Sequence, residues 1–263
     1  MYKGERNEYA KKKLESISFI KYYLEGKKLL NNENYQIGQE KSKLESLKIP
    51  PRTEIINYIL SKASGETTYL EIGTRNPNRN FNHIIANKKY SVDPGIKFKE
   101  NPVDYKMTSD EFFELLASNK VLSSEIKFDL IFIDGSHLAE QVDKDITNSM
   151  KYIKDDGFIV LHDCNPPTEW HARENQHYSN SPAGKSWNGT TWKAFLKWRF
   201  NSTVNSCCID SDCGVGILSK KRLIGQSIKE SNQFFEHCNL IKNKYEYLNL
   251  ISFDDFKGLI TKK

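Results

Sequence analysis

Two short stretches of this sequence carry side chains that can hold a cation or move a proton. The first is Asp134-Gly-Ser-His137 and the second is His162-Asp163-Cys-Asn165. Carboxylates offer hard oxygens to a divalent ion, and imidazoles titrate near neutrality, so together these types suit acid–base or metal-assisted chemistry. The residues between them explain how they meet. Phe128–Ile133 is a continuous apolar run of the kind a strand buried on both faces needs. Ala139–Ile153 puts Val142, Ile146, Met150 and Ile153 on one helical face. Asp156-Gly157 should break that helix, and Phe158–Leu161 reads as a second buried strand. Parallel strands joined by a helix bind ligands outside their carboxyl ends, where both polar stretches fall.

Upstream, Thr67–Gly73 (TTYLEIG) is a strand running into Thr74-Arg75-Asn76-Pro77, with a helix expected to begin near Pro77. Strand, turn and helix are the plan of a nucleotide-binding unit, but the G-x-G-x-x-G fingerprint is absent because Gly73 stands alone. That argues against a pyrophosphate-bearing cofactor and leaves room for a nucleoside without phosphates. Tyr90–Asp93 is a second strand whose terminal Asp93 is placed to bond ribose hydroxyls, or to open the turn at Pro94-Gly95. Asp104–Met107 reads as a third strand. Thr53 reads as the cap of a helix over Glu54–Lys62, and Ser109 as the cap of one over Asp110–Ser118. Thr190–Phe200 is a further helix, and Cys207–Ile209 with Gly214–Leu218 forms a closing hairpin.

Glu71-x-Gly73, Asp93 and Asp134-Gly-Ser-His137, in this order and spacing, resemble a class I S-adenosylmethionine-dependent methyltransferase over roughly residues 65 to 220. Asp134-x-x-His137 followed by His162-Asp163 is similar to a branch containing metal-dependent sugar O-methyltransferases, including those acting on macrolide sugars and surface-glycan sugars. The resemblance implies a Rossmann-like α/β fold: a mostly parallel seven-stranded sheet with an antiparallel last strand and helices on both faces. It implies S-adenosylmethionine along Glu71, Gly73, Thr74, Arg75, Asp93, Ser109 and Asp134. Glu71 would lie near the amino group, Asp93 on the ribose, Ser109 near the adenine and Arg75 at the carboxylate. His137 matches the family's catalytic base. Asp134 and Asp163, with His162, would hold magnesium or manganese. The family usually has a carboxylate or amide where this chain has His162, and imidazole suits a borderline ion better than magnesium. A second departure is the loss of the later glycine of E-x-G-x-x-x-G, replaced here within TRNPNRN.

The stretch Cys164–Asn188 is long and polar for a connector and reads as a binding loop. Trp170 and Trp187 could stack on sugar faces or simply anchor the loop, while Glu169, His171 and Arg173 could bond hydroxyls or an acidic group. Trp192 and Trp198, on the helix that follows, read as core. The 263 residues suffice for one sizeable core. Their net charge of +5 is mild, with acidic residues among the lysines, which reads as solvated surface rather than a nucleic-acid face. No apolar run approaches the roughly 20 residues of a membrane span. The N-terminus has no apolar core behind its charges, and the five cysteines show no CxxC spacing, which together suggest a reduced, cytoplasmic protein.

The expected organisation is a helical extension over 1–50, a methyltransferase domain over 51–222, and a helical tail over 223–263 against the domain or a second subunit. The expected activity is O-methylation of a sugar hydroxyl on a nucleotide-sugar or glycan intermediate. N-methylation of an amino sugar or methylation of another small molecule is the alternative within enzymes. A catalytically idle Rossmann module in a glycan-assembly complex is the alternative outside them. A nicotinamide oxidoreductase is disfavoured by the missing glycines.

Overall fold

The protein is described by a computed structural model covering residues 18–261, apart from 99, 101, 179, 230 and 231. Its centre is a seven-stranded sheet made of β1 (Thr68–Ile72), β2 (Lys88–Val92), β3 (Phe128–Ile133), β4 (Ile153–Leu161), β5 (Asn205–Ile209), β6 (Val215–Ser219) and β7 (Leu250–Ile251). The strand order is β2-β1-β3-β4-β6-β5-β7, and β6 runs antiparallel to both its neighbours. This is a mixed, mostly parallel Rossmann-like sheet.

Eight α-helices lie in the described residues: α1 (Ser18–Leu30), α2 (Glu33–Ser46), α3 (Arg52–Leu60), α4 (Ser109–Ala117), α5 (Ala139–Tyr152), α6 (Thr191–Arg199), α7 (His237–Tyr247) and α8 (Phe253–Thr261). Strand alternation divides the core between two faces. Leu70, Ile131, Ile133, Ile159 and Leu161 point to the face covered by α4, α5, α6 and α7. Tyr69, Leu130, Phe132, Phe158 and Val160 point to the face covered by α3 and α8. Burying each such side chain contributes about 2 kcal/mol. No helix among the described residues is long and apolar enough to cross a membrane.

Several local expectations change. Helix α5 stops at Tyr152, and β4 already begins at Ile153, which pairs with Phe128. Asp156-Gly157 therefore lies within the strand. A Cβ at Gly157 would come within 2.9 Å of the Asp129 carbonyl oxygen, so the glycine serves close backbone approach at the register shift. Residues after Asn76 form two 3₁₀ turns, Pro77–Arg79 and Phe81–His83, instead of a helix. The Asn76 side chain accepts from Asn78 N and closes the first turn locally, as asparagine does in competition with helix. Helix α3 starts after Pro51, and Thr53 donates to Asn80 Oδ1 rather than capping. Thr108, not Ser109, caps α4.

The expected strand at Asp104–Met107 is reduced to a single bridge between Val92 and Tyr105. The seventh strand comes instead from the tail, where Leu250 and Ile251 pair with β5. In the N-terminal extension Ile20 and Leu24 lie on α1, which buries no residue, whereas Leu14 and Ile17 fall outside the described residues.

Candidate metal and proton-transfer site

Ladder hydrogen bonds carry past the strand ends and set the site. Asp134 N donates to Ile72 O at 2.9 Å, which places Asp134 beside the end of β1. His162 N donates to Ile133 O at 3.2 Å and stands next to Asp134. Gly73 adopts φ +91°, and a Cβ there would lie 2.3 Å from Gly135, so the turns after β1 and β3 touch through glycine. Asp163, immediately after β4, has φ 63°, a left-handed conformation that aspartate tolerates better than most residues. Gly189 (φ +63°) lets the loop before α6 cross His137, whose carbonyl a Cβ would approach to 2.3 Å. Thr190 then bonds both ends of this crossing, donating its N–H to His137 O and accepting from Ala139 N.

The side chains converge closely. His162 Nδ1 lies 3.2 Å from Asp163 Oδ2 and 3.4 Å from Asp134 Oδ1. His137 Nδ1 lies 3.1 Å from Asp163 Oδ2, and its Nε2 lies 3.4 Å from Asp134 Oδ1. The His137 ring stacks on Trp187 at 4.7 Å with planes 10° apart, and Trp187 in turn lies under Lys97 Nζ at 5.5 Å. Burial works against charge on both imidazoles, but the neighbouring carboxylates outweigh it. His162 is raised well above its ordinary 6.5 by Asp163 and Asp134, and His137 is raised by its hydrogen bond to Asp134 and the charges of Asp163 and Asp134. Burial would raise Asp134, yet His162, His137 and Arg52 hold it well below the carboxylate range.

Asp134, His162 and Asp163 each offer a ligand atom within 4.8 Å of the others. His162 Nδ1 is buried and makes no hydrogen bond despite its two carboxylate neighbours. An imidazole nitrogen aimed between two carboxylate oxygens, without bonding geometry to either, fits a divalent cation at their centre.

Two members of the cluster carry no sequence motif. Arg52, at the start of α3, places Nε 3.8 Å from Asp134 Oδ2. Asp212, in the β5–β6 turn, has Oδ1 3.1 Å from His162 Nε2 and Oδ2 2.8 Å from Arg52 N. Burial opposes the Asp212 charge, but His162 and Arg52 bring its carboxyl far below the usual range. Arg52 followed two prolines and Asp212 preceded Cys-Gly in an ordinary-looking turn, so only the positive charge at a helix start gave a hint.

The other expected positions are distributed around the β1 and β2 ends. Glu71 is buried on the α3 face, where its Oε2 accepts from Tyr69 Oη at 2.6 Å and Asn80 Nδ2 at 2.7 Å. Burial raises its carboxyl despite those bonds. Thr74 is buried beside it, and Arg75 is exposed. Asp93 Oδ1 accepts from Gly95 N at 2.7 Å, which makes it a turn residue whether or not it also meets a ribose. Ser109 lies in the first turn of α4 and accepts from Gln141 Nε2 at 3.3 Å.

Two loop residues have structural partners instead of a free face. His171 is 1% exposed, accepts from Thr168 Oγ1 at 2.7 Å through Nδ1, and meets Ser42 Oγ at 2.9 Å through Nε2. Burial, with Arg173 and His237 nearby, lowers it to about 4, so it is neutral between two hydroxyls. Arg173 donates to the carbonyls of Trp170, Ser186, Gln176 and Gly184, so it braces the loop from inside. Trp170 is half-buried, and Trp187 both stacks on His137 and donates to Arg173 O at 2.7 Å. Helix α2 clamps this loop, with a Cβ at Gly38 reaching 2.4 Å from Pro182 O and Gln39 Nε2 donating to the same oxygen at 2.8 Å. Trp192 is in the core, as its apolar surroundings require, and Trp198 bonds Asp143.

Residues 61–164 match a family model described as a methyltransferase domain. That span carries Glu71, Asp93, Asp134, His137, His162 and Asp163. No curated protein matches the sequence. Among solved structures, the O-methyltransferase TomG from Streptomyces achromogenes in complex with S-adenosylmethionine is 12% identical, with 72% of this chain and 90% of that one covered at a TM-score of 0.40. An O-methyltransferase from Bacillus cereus in complex with S-adenosylhomocysteine is 13% identical, with 72% and 92% covered at 0.40. MycE, from the mycinamycin biosynthetic pathway, in complex with magnesium, S-adenosylhomocysteine and mycinamycin VI, is 14% identical, with 68% and 50% covered at 0.40. Likenesses of this size carry nothing about what this chain binds.

Proposed function

We propose that this chain, whose residues 61–164 match a methyltransferase-domain model, transfers a methyl group from S-adenosylmethionine to a sugar hydroxyl, on a nucleotide-sugar or glycan acceptor. The observation that carries the reading is the convergence of Asp134, His137, His162 and Asp163 at the carboxyl ends of β3 and β4, against the Gly73 turn of β1. Glu71, Gly73, Thr74, Arg75, Asp93 and Ser109 form the candidate cofactor side, and Trp187 is the candidate floor for the acceptor.

Asp134, His162 and Asp163 are the residues that would hold a divalent ion. When bound, the sulfonium cofactor supplies an electrophilic methyl carbon and the ion lowers the pKa of the acceptor hydroxyl. His137 is the base. Its Nδ1–H faces Asp163 Oδ2 and the Trp187 carbonyl, and with Asp134 engaged by the ion its Nε2 would be released to accept the hydroxyl proton. The deprotonated acceptor oxygen would take the methyl carbon, with the carbon–sulfur bond broken and S-adenosylhomocysteine as the leaving group. Asp134 beside Nε2 stabilises the imidazolium that results. Trp187 fixes the ring plane, so that proton transfer needs no reorientation.

Calorimetry with S-adenosylmethionine, with and without magnesium or manganese, followed by mass spectrometry on a panel of nucleotide sugars, tests this reading. Micromolar cofactor binding and a mass gain of one methyl on a sugar, abolished by chelator, are the expected results. Absence of cofactor binding by the folded protein would refute it and favour an idle binding module. Methylation of an amine that persists in chelator would transfer the activity to nitrogen.

A further inference from the structure

We infer that Asp212, held by Arg52 and the first turn of α3, is a positioning residue that presents His162 through Nδ1 and makes the site select a first-row transition ion such as manganese over magnesium. The inference rests on the metal reading above and deepens it.

Three observations carry it. First, the two faces of the His162 ring meet different surroundings. Nε2 has a single carboxylate partner, Asp212 Oδ1 at 3.1 Å. Nδ1 is buried without a hydrogen bond between Asp134 and Asp163. A proton on Nε2 given to Asp212 leaves the Nδ1 lone pair facing the two carboxylates. This is how an outer carboxylate orients a ligating histidine and raises its basicity.

Second, Arg52 does not compete for that bond. Its Nη1 lies 3.3 Å from His162 Nε2, but a guanidinium only donates. Nη1 instead reaches both oxygens of Asp212, at 3.1 and 3.3 Å, and Arg52 N adds a third bond at 2.8 Å. Imidazole and guanidinium therefore converge as donors on one carboxylate, which also sits at the positive end of the α3 dipole.

Third, the backbone is built to deliver Asp212. Asp212, Cys213 and Gly214 have φ of 44°, 63° and 88°, three consecutive left-handed residues. Such strain persists where surrounding structure over-determines it. Here the turn is pinned by Cys164 N to Gly214 O and Asn165 N to Cys213 O, both 2.9 Å, so the segment that carries His162 and Asp163 is laced to the one that carries Asp212. A Cβ at Gly214 would come within 2.4 Å of Asn165 N, which requires glycine there.

The chemistry follows from the donor set. Magnesium prefers all-oxygen, near-octahedral sites rich in water, whereas nitrogen donors favour later first-row ions. With Nε2–H held by Asp212, the ring is oriented as a nitrogen ligand, and an arriving ion takes the place of the proton on Nδ1.

Calorimetric binding of manganese and magnesium to the full chain is the test, with Asp212→Asn and His162→Asp beside the unsubstituted protein. Manganese is expected to bind at least about 10-fold more tightly than magnesium. Asp212→Asn is expected to weaken manganese about 10- to 100-fold, and His162→Asp to close the gap between the ions. Nitrogen NMR of the zinc-loaded unsubstituted protein, which depends on no variant folding, should show the His162 proton on Nε2. Equal manganese affinity in Asp212→Asn, a proton on Nδ1, or preference for magnesium overturns the inference while leaving the metal site standing. Failure of the unsubstituted protein to bind any ion removes the metal reading, and the inference with it.

Discussion

A buried arginine and a half-buried one divide the molecule into a part that holds itself together and a part that handles charge. Arg199, at the end of α6, is 2% exposed and bonds carbonyls and a hydroxyl, with no carboxylate among its hydrogen-bond partners in the described residues. It donates to the carbonyls of Ser206, Gln226, Glu246 and Tyr247 and to Ser206 Oγ, so one guanidinium ties α6, β5 and the C-terminal tail. Burial without a counter-charge lowers it to about 10. Arg52 faces Asp134 and Asp212, and although burial opposes its charge those carboxylates raise it above its ordinary value. Neutral acceptors make a rigid staple with nothing to titrate. Shared carboxylates make a cluster whose charge balance a bound cation can change.

The sharpest way to break this contrast is at Arg199. Arg199→Met strands several buried carbonyls and should cost about 4 kcal/mol in urea unfolding. Cofactor affinity should be unchanged below the melting transition. A loss of affinity without a loss of stability would erase the distinction. At the other cluster the expectation reverses. His137→Ala should lower the methyl-transfer rate by about 100-fold or more while urea stability stays within about 1 kcal/mol. A variant that keeps its rate would remove His137 as base.

The α2 clamp provides a pH-dependent intermediate case. His171 has its pKa depressed to about 4 in the fold, against 6.5 for an ordinary imidazole. Its contribution to stability is therefore complete above pH 6.5 and is lost as pH falls through 4. Roughly 2 kcal/mol should be gone by pH 5, and His171→Gln, which bonds without titrating, should abolish that slope. An identical slope in both proteins would assign the acid sensitivity elsewhere. The smallest effect belongs to the aromatic support. Trp187→Leu removes the stack on His137 but keeps the carbonyl, and should reduce turnover about 5- to 10-fold, worth about 1 kcal/mol. A change in substrate affinity alone would mean that Trp187 serves the acceptor and not the ring.

The sequence could show what depends on local pattern. Apolar runs located β1, β3 and most of β4, and the helical stripe located α5, because buried strands and amphipathic helices need those periods wherever they sit. From these alone Asp134, His137, His162 and Asp163 could be brought to one edge. Turn chemistry was less legible. TRNPNRN became 3₁₀ turns because asparagine side chains bonded their own backbone, and the expected strand at Asp104–Met107 shrank to one bridge.

What the chain's order hides, tertiary structure decided. Arg52 and Asp212 are separated by 160 positions, and neither belongs to a motif. They meet because α3 begins where the β5–β6 turn, interlocked with the residues after β4, comes back across the strand ends. His171 and Arg173 had the chemistry of ligand contacts, and in the fold His171 is bonded between Thr168 and Ser42 of α2 while Arg173 is bonded to carbonyls within its own loop. Residue type and spacing determined which groups are able to do chemistry. Packing decided which of them are free to do it, because a polar side chain taken out of water bonds whatever the fold puts within reach.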